Sequence, residues 1–253
     1  MSFIKSLKYL RRYAVRLFIK TISSNSSLSN GNVVIVAPHP DDETFACGGL
    51  IAHKKTKNAR VSVVFLTDGE AAHRGCCNTE PEKIALARQR LAVESGKILG
   101  VKAEDMFWLG LPDGKIPQKH NLNFKSSVEK LAKLIEEIKP QEIFAPHHLD
   151  CWPDHEAANE LVRAALKKYV HPYKLYHYPV WMWHNLRFRD FPKLLSSKVC
   201  RLNIRSVMDK KSDAIQYYLS ECVPICGKPY CGNLPEGFVD HFNYPYEIYF
   251  RAH

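Results

Sequence analysis

No run of about 20 predominantly apolar residues occurs in this chain, so no segment reads as a membrane span. Paired CxxC motifs are missing too. The 8 cysteines stand at 47, 76, 77, 151, 200, 222, 226 and 231, too few and too irregular for a disulfide scaffold. They read as thiols of a reducing compartment, and Cys222, Cys226 and Cys231 lack the spacing of a structural zinc site. With 12 Gly and 15 Pro among 253 residues, collagen-like and low-complexity readings are excluded. What remains, 45% hydrophobic and 25% charged, suits a soluble globular chain long enough to bury about 70% of its unfolded surface without staples.

Acidic residues are absent from the first 30 positions, which carry Lys5, Lys8, Arg11, Arg12, Arg16 and Lys20. These six charges make up more than half of the net +10. The body is therefore not a strongly basic surface, and no nucleic-acid partner is expected. Apolar Phe3, Ile4, Leu7, Leu10, Ala14, Leu17 and Phe18 recur at helical spacing, so residues 1–22 are expected to form a basic amphipathic helix. The charges interrupt every apolar run, which fits neither a signal-peptide core nor a membrane span. Two uses suit such a helix: peripheral contact with an anionic membrane, or packing on the body or on another subunit. Residues 23–31, rich in Ser and Asn, read as a flexible linker, and residues 32–253 as the folded domain. The oligomeric state is left open.

The body alternates strand and helix. Asn32 to Ala37 and Val61 to Thr67 are continuous apolar runs, as expected for strands buried on both faces. Helical stripes follow over Glu43–Lys55, 80–99, 124–138 and Asp154–Tyr169, with short strands at Asp105–Leu109 and Glu142–Ala145 between them. Beyond residue 175, Leu175–Tyr178, Arg201–Ile204 and Glu247–Phe250 read as further short strands. The class is α/β, with a mostly parallel sheet flanked by helices. In open sheets of this kind ligands sit at the carboxyl ends of the strands. The polar groups after the first, second and Glu142 strands would meet there.

Two runs concentrate metal-ligand chemistry. His39-Pro-Asp41-Asp42 directly follows a buried strand, and Asp154-His155 opens a helix after another. Taken singly, each is a polar turn or a helix cap. Together, His39, Asp42 and His155 supply the three N/O ligands of a catalytic zinc site, leaving Asp41 free to accept a proton. Such a set also tolerates Fe(II), Co(II) or Mn(II).

The run Ala37-Pro-His-Pro-Asp-Asp-Glu43 with Gly48-Gly49 resembles the first motif of the PIG-L/LmbE-like zinc N-deacetylases. The resemblance extends through Thr67–Glu70, Leu109–Gly114, Pro153-Asp-His155 and Glu247–Phe250, over roughly residues 32–250. It implies a Rossmann-like fold and hydrolysis of an N-acetyl group from an amino sugar. Matched by position, His39, Asp42 and His155 are implied as zinc ligands and Asp41 as general base. Asp113 and, more loosely, Arg74 are implied as sugar contacts, and Asp154 as a residue orienting a ligand. One position departs from the pattern: Trp152 stands where many members carry a histidine that helps polarise the acetyl oxygen. Trp152 is thus a candidate substrate contact, and His147, His148, His184 and His241 are candidates to replace that histidine.

The expected substrate is an N-acetylhexosamine on a lipid, nucleotide or other carrier, and the expected place is the cytoplasm, peripheral on the inner membrane face if the helix binds lipid. A catalytically silent zinc-binding member acting as a binding protein, and a zinc amidohydrolase with a non-sugar substrate, are the alternatives.

Overall fold

The structure is a computed structural model that describes residues 3–25, 28–195 and 197–252, with side chains apart from those of residues 3–9 and 188. Eight strands form one sheet: β1 (Ser24–Asn25), β2 (Val33–Ala37), β3 (Val61–Thr67), β4 (Met106–Leu111), β5 (Glu142–Pro146), β6 (Lys174–Tyr178), β7 (Lys198–Asn203) and β8 (Tyr246–Arg251). Their order is β1-β7-β8-β6-β5-β2-β3-β4, and every pairing is parallel except those that β8 makes with β6 and β7. The helices are α1 (Phe3–Ile22), α2 (Asp42–Thr56), α3 (Pro81–Leu99), α4 (Phe124–Ile138), α5 (Pro153–Leu166), the short α6 (Met182–Asn185) and α7 (Phe191–Leu195), and α8 (Met208–Ser220).

Strand side chains alternate between faces, so a run buried at every position needs cover on both. β2 meets that demand. Val33, Ile35 and Ala37 join the core beneath α2 and α3, while Val34 and Val36 join the core beneath α4 and α5. The mostly parallel α/β architecture expected from the sequence is what the chain adopts.

The stretch read as a linker is tied down where it is described. Ser24 and Asn25 pair parallel with Cys200 and Arg201, making β1 the edge strand. Ser29 donates its backbone N–H to Glu142 at 3.0 Å, and buried Lys54 donates to the Ser29 carbonyl at 2.6 Å while pairing with Glu142. Composition hides this, because Glu142, Cys200 and Arg201 lie more than a hundred residues away.

α1 runs from Phe3 to Ile22, and the half whose side chains are described lies on the body. Val15 and Ile19 are buried, Arg16 stacks 3.4 Å above the Tyr244 ring, and Arg12 donates to the Glu236 carbonyl at 2.9 Å. Arg11 also donates to the His184 carbonyl. Three of the charges available for lipid headgroups are therefore turned toward protein. Among the described residues no helix is long and apolar enough to cross a membrane.

The chain passes outward from β2 to β3 and β4, then returns to β5 on the other side of β2. The crevice between β2 and β5, at their carboxyl ends, is thus a topological switch point.

Candidate metal centre

Both candidate runs arrive at that crevice. His39 to Asp42 leave β2 and enter the first turn of α2, and Asp154-His155 lie in the first turn of α5 after β5. One ligand atom each from His39, Asp42 and His155 lies within 4.8 Å of the others. The Asp42 carboxylate lies 3.2 Å from His39 Nδ1 and 3.3 Å from His155 Nε2. Burial alone would push the Asp42 carboxyl up, but the His155 and His39 imidazoles outweigh it and hold Asp42 well below the usual range. Burial opposes a charge on His155, yet Asp42 and Asp150 raise it to about 9.

The outer nitrogens decide which atoms face a metal. His39 Nε2 lies 3.0 Å from the Asp154 carboxylate, and His155 Nδ1 lies 2.7 Å from Asp150. A metal-bound imidazole usually donates its other N–H to a carboxylate, fixing its tautomer and orientation. Both histidines have that backing when Asp42 is the shared partner. His155 is fully buried, with Nε2 turned to Asp42 and Nδ1 to Asp150, as suits a ring that coordinates through Nε2. The residues fit a divalent transition metal with two nitrogens and one carboxylate oxygen. A second grouping, His39 with Asp113 and Asp154, lies within the same 4.8 Å but would use the nitrogen that these carboxylates orient.

Asp41 sits beside this group in a strained backbone conformation, φ 127°, which a non-glycine residue tolerates only when its surroundings enforce it. They do. Its carbonyl accepts from Thr44 and Phe45 at the start of α2, and its N–H donates to Glu43 at 3.0 Å. Its carboxylate receives buried Arg88 at 2.9 Å. Burial pushes the Asp41 carboxyl up and Arg88 only partly opposes this, which favours proton acceptance near neutral pH.

The metal group lies at the floor of a cleft of about 370 Å³ whose lining includes Asp41, Arg74, Asp113, Trp152 and Trp181. Arg74, exposed, and Asp113, buried, both line the cleft. Asp113 also ties the walls together, accepting from Ala71 N–H at 2.7 Å and lying 3.2 Å from His39 Nε2. Asp154 accepts from Gly114 N–H at 2.7 Å while holding His39. Glu70 accepts the Asp113 N–H, whereas Asp68 accepts from Gln89 away from the cleft.

Trp152 stacks on Trp181, ring centroids 4.5 Å apart and 14° from parallel. None of the four histidines considered as a replacement at that position lines the cleft. His147 packs against His148 and Phe250, and His184 packs against His241 and Phe238.

Four residues of the candidate site escaped the sequence. Asp150 takes three backbone N–H groups, from Val180, Trp181 and Met182, at 2.7 to 3.0 Å besides holding His155. Its place in the same HHLDCWPDH run was the available signal. Arg88 looks like a surface charge on an amphipathic helix, and nothing local marks its burial. Trp181 and Phe238 come from the aromatic-rich part after residue 175, where core and cleft aromatics look alike.

The sequence and the fold have counterparts. A 1D-myo-inositol 2-acetamido-2-deoxy-alpha-D-glucopyranoside deacetylase from Corynebacterium glutamicum is 29% identical over 157 residues, 55% of this chain and 54% of that protein. The chain therefore spans about half the length of that curated relative. The solved N,N'-diacetylchitobiose deacetylase from Pyrococcus horikoshii superposes with a TM-score of 0.60 at 18% identity, covering 95% of this chain and 83% of that one. A 4-carboxy-2-hydroxymuconate hydratase from Pseudomonas putida superposes with a TM-score of 0.58 at 22% identity, over 74% of this chain and 78% of that one. These two likenesses speak to the fold alone, since one fold hosts different chemistries. The family model described as PIG-L, GlcNAc-PI de-N-acetylase, matches residues 34–166, and the chain belongs to that family.

Proposed function

We propose that the chain is a metal-dependent hydrolase that removes the N-acetyl group of an N-acetylhexosamine-containing substrate. The observation that carries this reading is the convergence of His39, Asp42 and His155, with both imidazoles backed by buried carboxylates, directly beside Asp41. In this reading His39 Nδ1, Asp42 and His155 Nε2 hold the metal, and Asp154 and Asp150 orient the two rings. Zinc in such a site would acidify water toward a pKa of about 7 and polarise the acetyl oxygen.

The chain's own residues do the rest. Asp41 takes the proton of the attacking water, whose oxygen bonds to the acetyl carbon. As the C–N bond breaks, the protonated Asp41 returns that proton to the departing nitrogen. One amide and one water thus yield one amine and one acetic acid, which at neutral pH are ammonium and acetate. Arg88 keeps Asp41 aimed at the cleft. Trp152 and Trp181 offer a flat apolar platform that suits the C–H face of a sugar ring, and Asp113 and Arg74 supply polar contacts to its hydroxyls. Trp152 then serves binding and not proton transfer.

The carrier is argued from α1. Leu10, Tyr13 and Leu17 are exposed beside Lys20, an apolar and basic outer face that suits a lipid-linked sugar at an anionic membrane. Acetate release is to be measured with free, nucleotide-linked and lipid-linked N-acetylhexosamines. Asp41→Asn is expected to keep the metal and lose turnover by about 10²-fold or more, whereas His39→Ala is expected to lose the metal. Near-normal turnover in Asp41→Asn would refute the assignment of the base. Trp152→Ala is expected to raise KM with kcat nearly unchanged; a fall confined to kcat would place Trp152 in the chemistry instead.

A further inference from the structure

We propose that His73, Cys76, Cys77 and Cys226 form a second metal site, suited to a structural zinc ion, that fastens the turn after β3 to the segment after α8. Only Cys226 belongs to the C-terminal trio visible in the sequence. Its partners come from residues 73–77, which sequence distance conceals.

The donors are already gathered. One ligand atom each from His73, Cys77 and Cys226 lies within 4.8 Å of the others. Cys226 Sγ is 3.4 Å from His73 Nδ1. Tetrahedral zinc, with bonds of about 2.0–2.1 Å to nitrogen and about 2.3 Å to sulfur, sets such a pair about 3.5 Å apart. Cys76 adjoins Cys77 in the chain, and its thiol lies near enough to Cys226 to interact with it electrostatically, which brings a third sulfur to the edge of this group.

The histidine is prepared for ligation. Its ring is buried, and Nε2 lies 2.9 Å from the Pro229 carbonyl, which Nε2 can only meet as a donor. In the neutral ring this leaves the lone pair on Nδ1, facing Cys226. A backbone carbonyl on the outer nitrogen is a common support for a metal-bound histidine. Burial first, and then the charges of Arg88 and Lys228, keep His73 below its ordinary pKa and so in that neutral form.

Cys77, Cys226 and the His73 imidazole are soft donors, and Cys76 as a fourth would close the set with the composition of a structural zinc site. The centre at His39 is of the other kind, with two nitrogens, one oxygen and room for water. Cys226 itself is held in a tight turn, where Gly227 N–H donates to the Val223 carbonyl and Val223 N–H to the Lys228 carbonyl, each at 2.8 Å. Cys231 does not join: burial pushes its thiol up to about 12 and it faces the cleft.

The location gives the site a purpose. The turn after β3 carries Ala71, Ala72 and Arg74 into one wall of the cleft, and the segment after Cys226 carries Cys231 to Leu234 into the facing wall. A metal across 153 residues of sequence would fix the spacing of the two walls.

Cobalt(II) titration of the metal-stripped full chain, kept reduced, tests this directly. Thiolate ligation gives an intense sulfur-to-cobalt charge-transfer band in the near ultraviolet, which histidine and carboxylate ligands cannot produce. The band is expected in the parent chain, bleached by added zinc, retained in His39→Ala, and reduced at least tenfold in Cys77→Ser and Cys226→Ser. Circular dichroism of the two serine variants guards against misfolding. The band in the parent chain does not depend on any variant or on turnover, so failure here is separate from failure of the deacetylase reading. Absence of the band under reducing conditions overturns the proposal. A band that survives in Cys226→Ser overturns it as well, as does a Cys76–Cys226 disulfide found by mass spectrometry in a chain that binds no cobalt through sulfur.

Discussion

At the scale of single residues, the candidate centre depends on groups that never touch a substrate. Asp150 accepts three backbone N–H groups and sits 2.7 Å from His155 Nδ1, so its carboxylate is fully used. Replacing it by Asn removes one accepting oxygen and brings an NH2 against a donor. Asp150→Asn is expected to weaken metal binding about 10–100-fold, read by competition with a chromophoric chelator. Unchanged affinity would show that His155 needs no such support. His39, Asp41, Asp42 and His155 were legible in the sequence because two short runs carry them, each next to a strand whose apolar pattern is unmistakable. Arg88 was not, since its role comes from a partner 47 residues away.

At the scale of elements, the same contrast holds. β2 and β3 are continuous apolar runs and α4 carries a regular stripe, and all three form where the pattern places them. α8 went unread, because Lys210 and Lys211 interrupt its stripe; Lys211 is in fact buried against Glu247 at 2.6 Å. Glu247 explains the Gly48-Gly49 pair as well. Its carboxylate accepts from Gly49 and Leu50 N–H, both at 2.7 Å, which draws α2 tightly against β8 and Ile204. A Cβ on Gly49 would stand 2.5 Å from Ile204 Cδ1 and 2.8 Å from its Cβ, so the whole isoleucine would have to move. Overpacking of this kind costs about 1–3 kcal/mol, against which alanine regains about 0.5–1 kcal/mol of helix preference. Gly49→Ala is therefore expected to lower stability by about 1–2 kcal/mol in urea unfolding. In Gly96→Ala the closest atom, at 1.8 Å, is the terminal Cε of Met106, which can swing aside. Gly96→Ala should cost less than Gly49→Ala, and the reverse order would mean that Ile204 relaxes freely.

At the scale of the whole molecule, α1 and the cleft wall are one assembly. Arg12 and Arg16 donate to the carbonyls of Glu236 and His241, in the same segment that brings Asn233, Leu234 and Phe238 to the cleft. His184 and His241 lie between the helix and that wall, ring centroids 4.9 Å apart. Burial, then Arg12, holds His184 down to about 4, and burial, then His184 and Arg16, holds His241 down to about 3. The sign follows from comparing the docked helix with a released one, in which both rings would return toward 6.5. The docked form binds fewer protons, so docking is fully favoured above about pH 6.5 and weakens as pH falls from there toward 4. Carbon-13 resonances of the histidine rings should therefore show His184 and His241 neutral at pH 5.5 in the intact chain. In Arg16→Ala, which removes the stacking on Tyr244 and the bond to His241, both should titrate nearer 6.5. Titration of both rings near 6.5 in the intact chain would mean that α1 does not clasp this wall in solution, and that its arginines are free for an anionic surface after all.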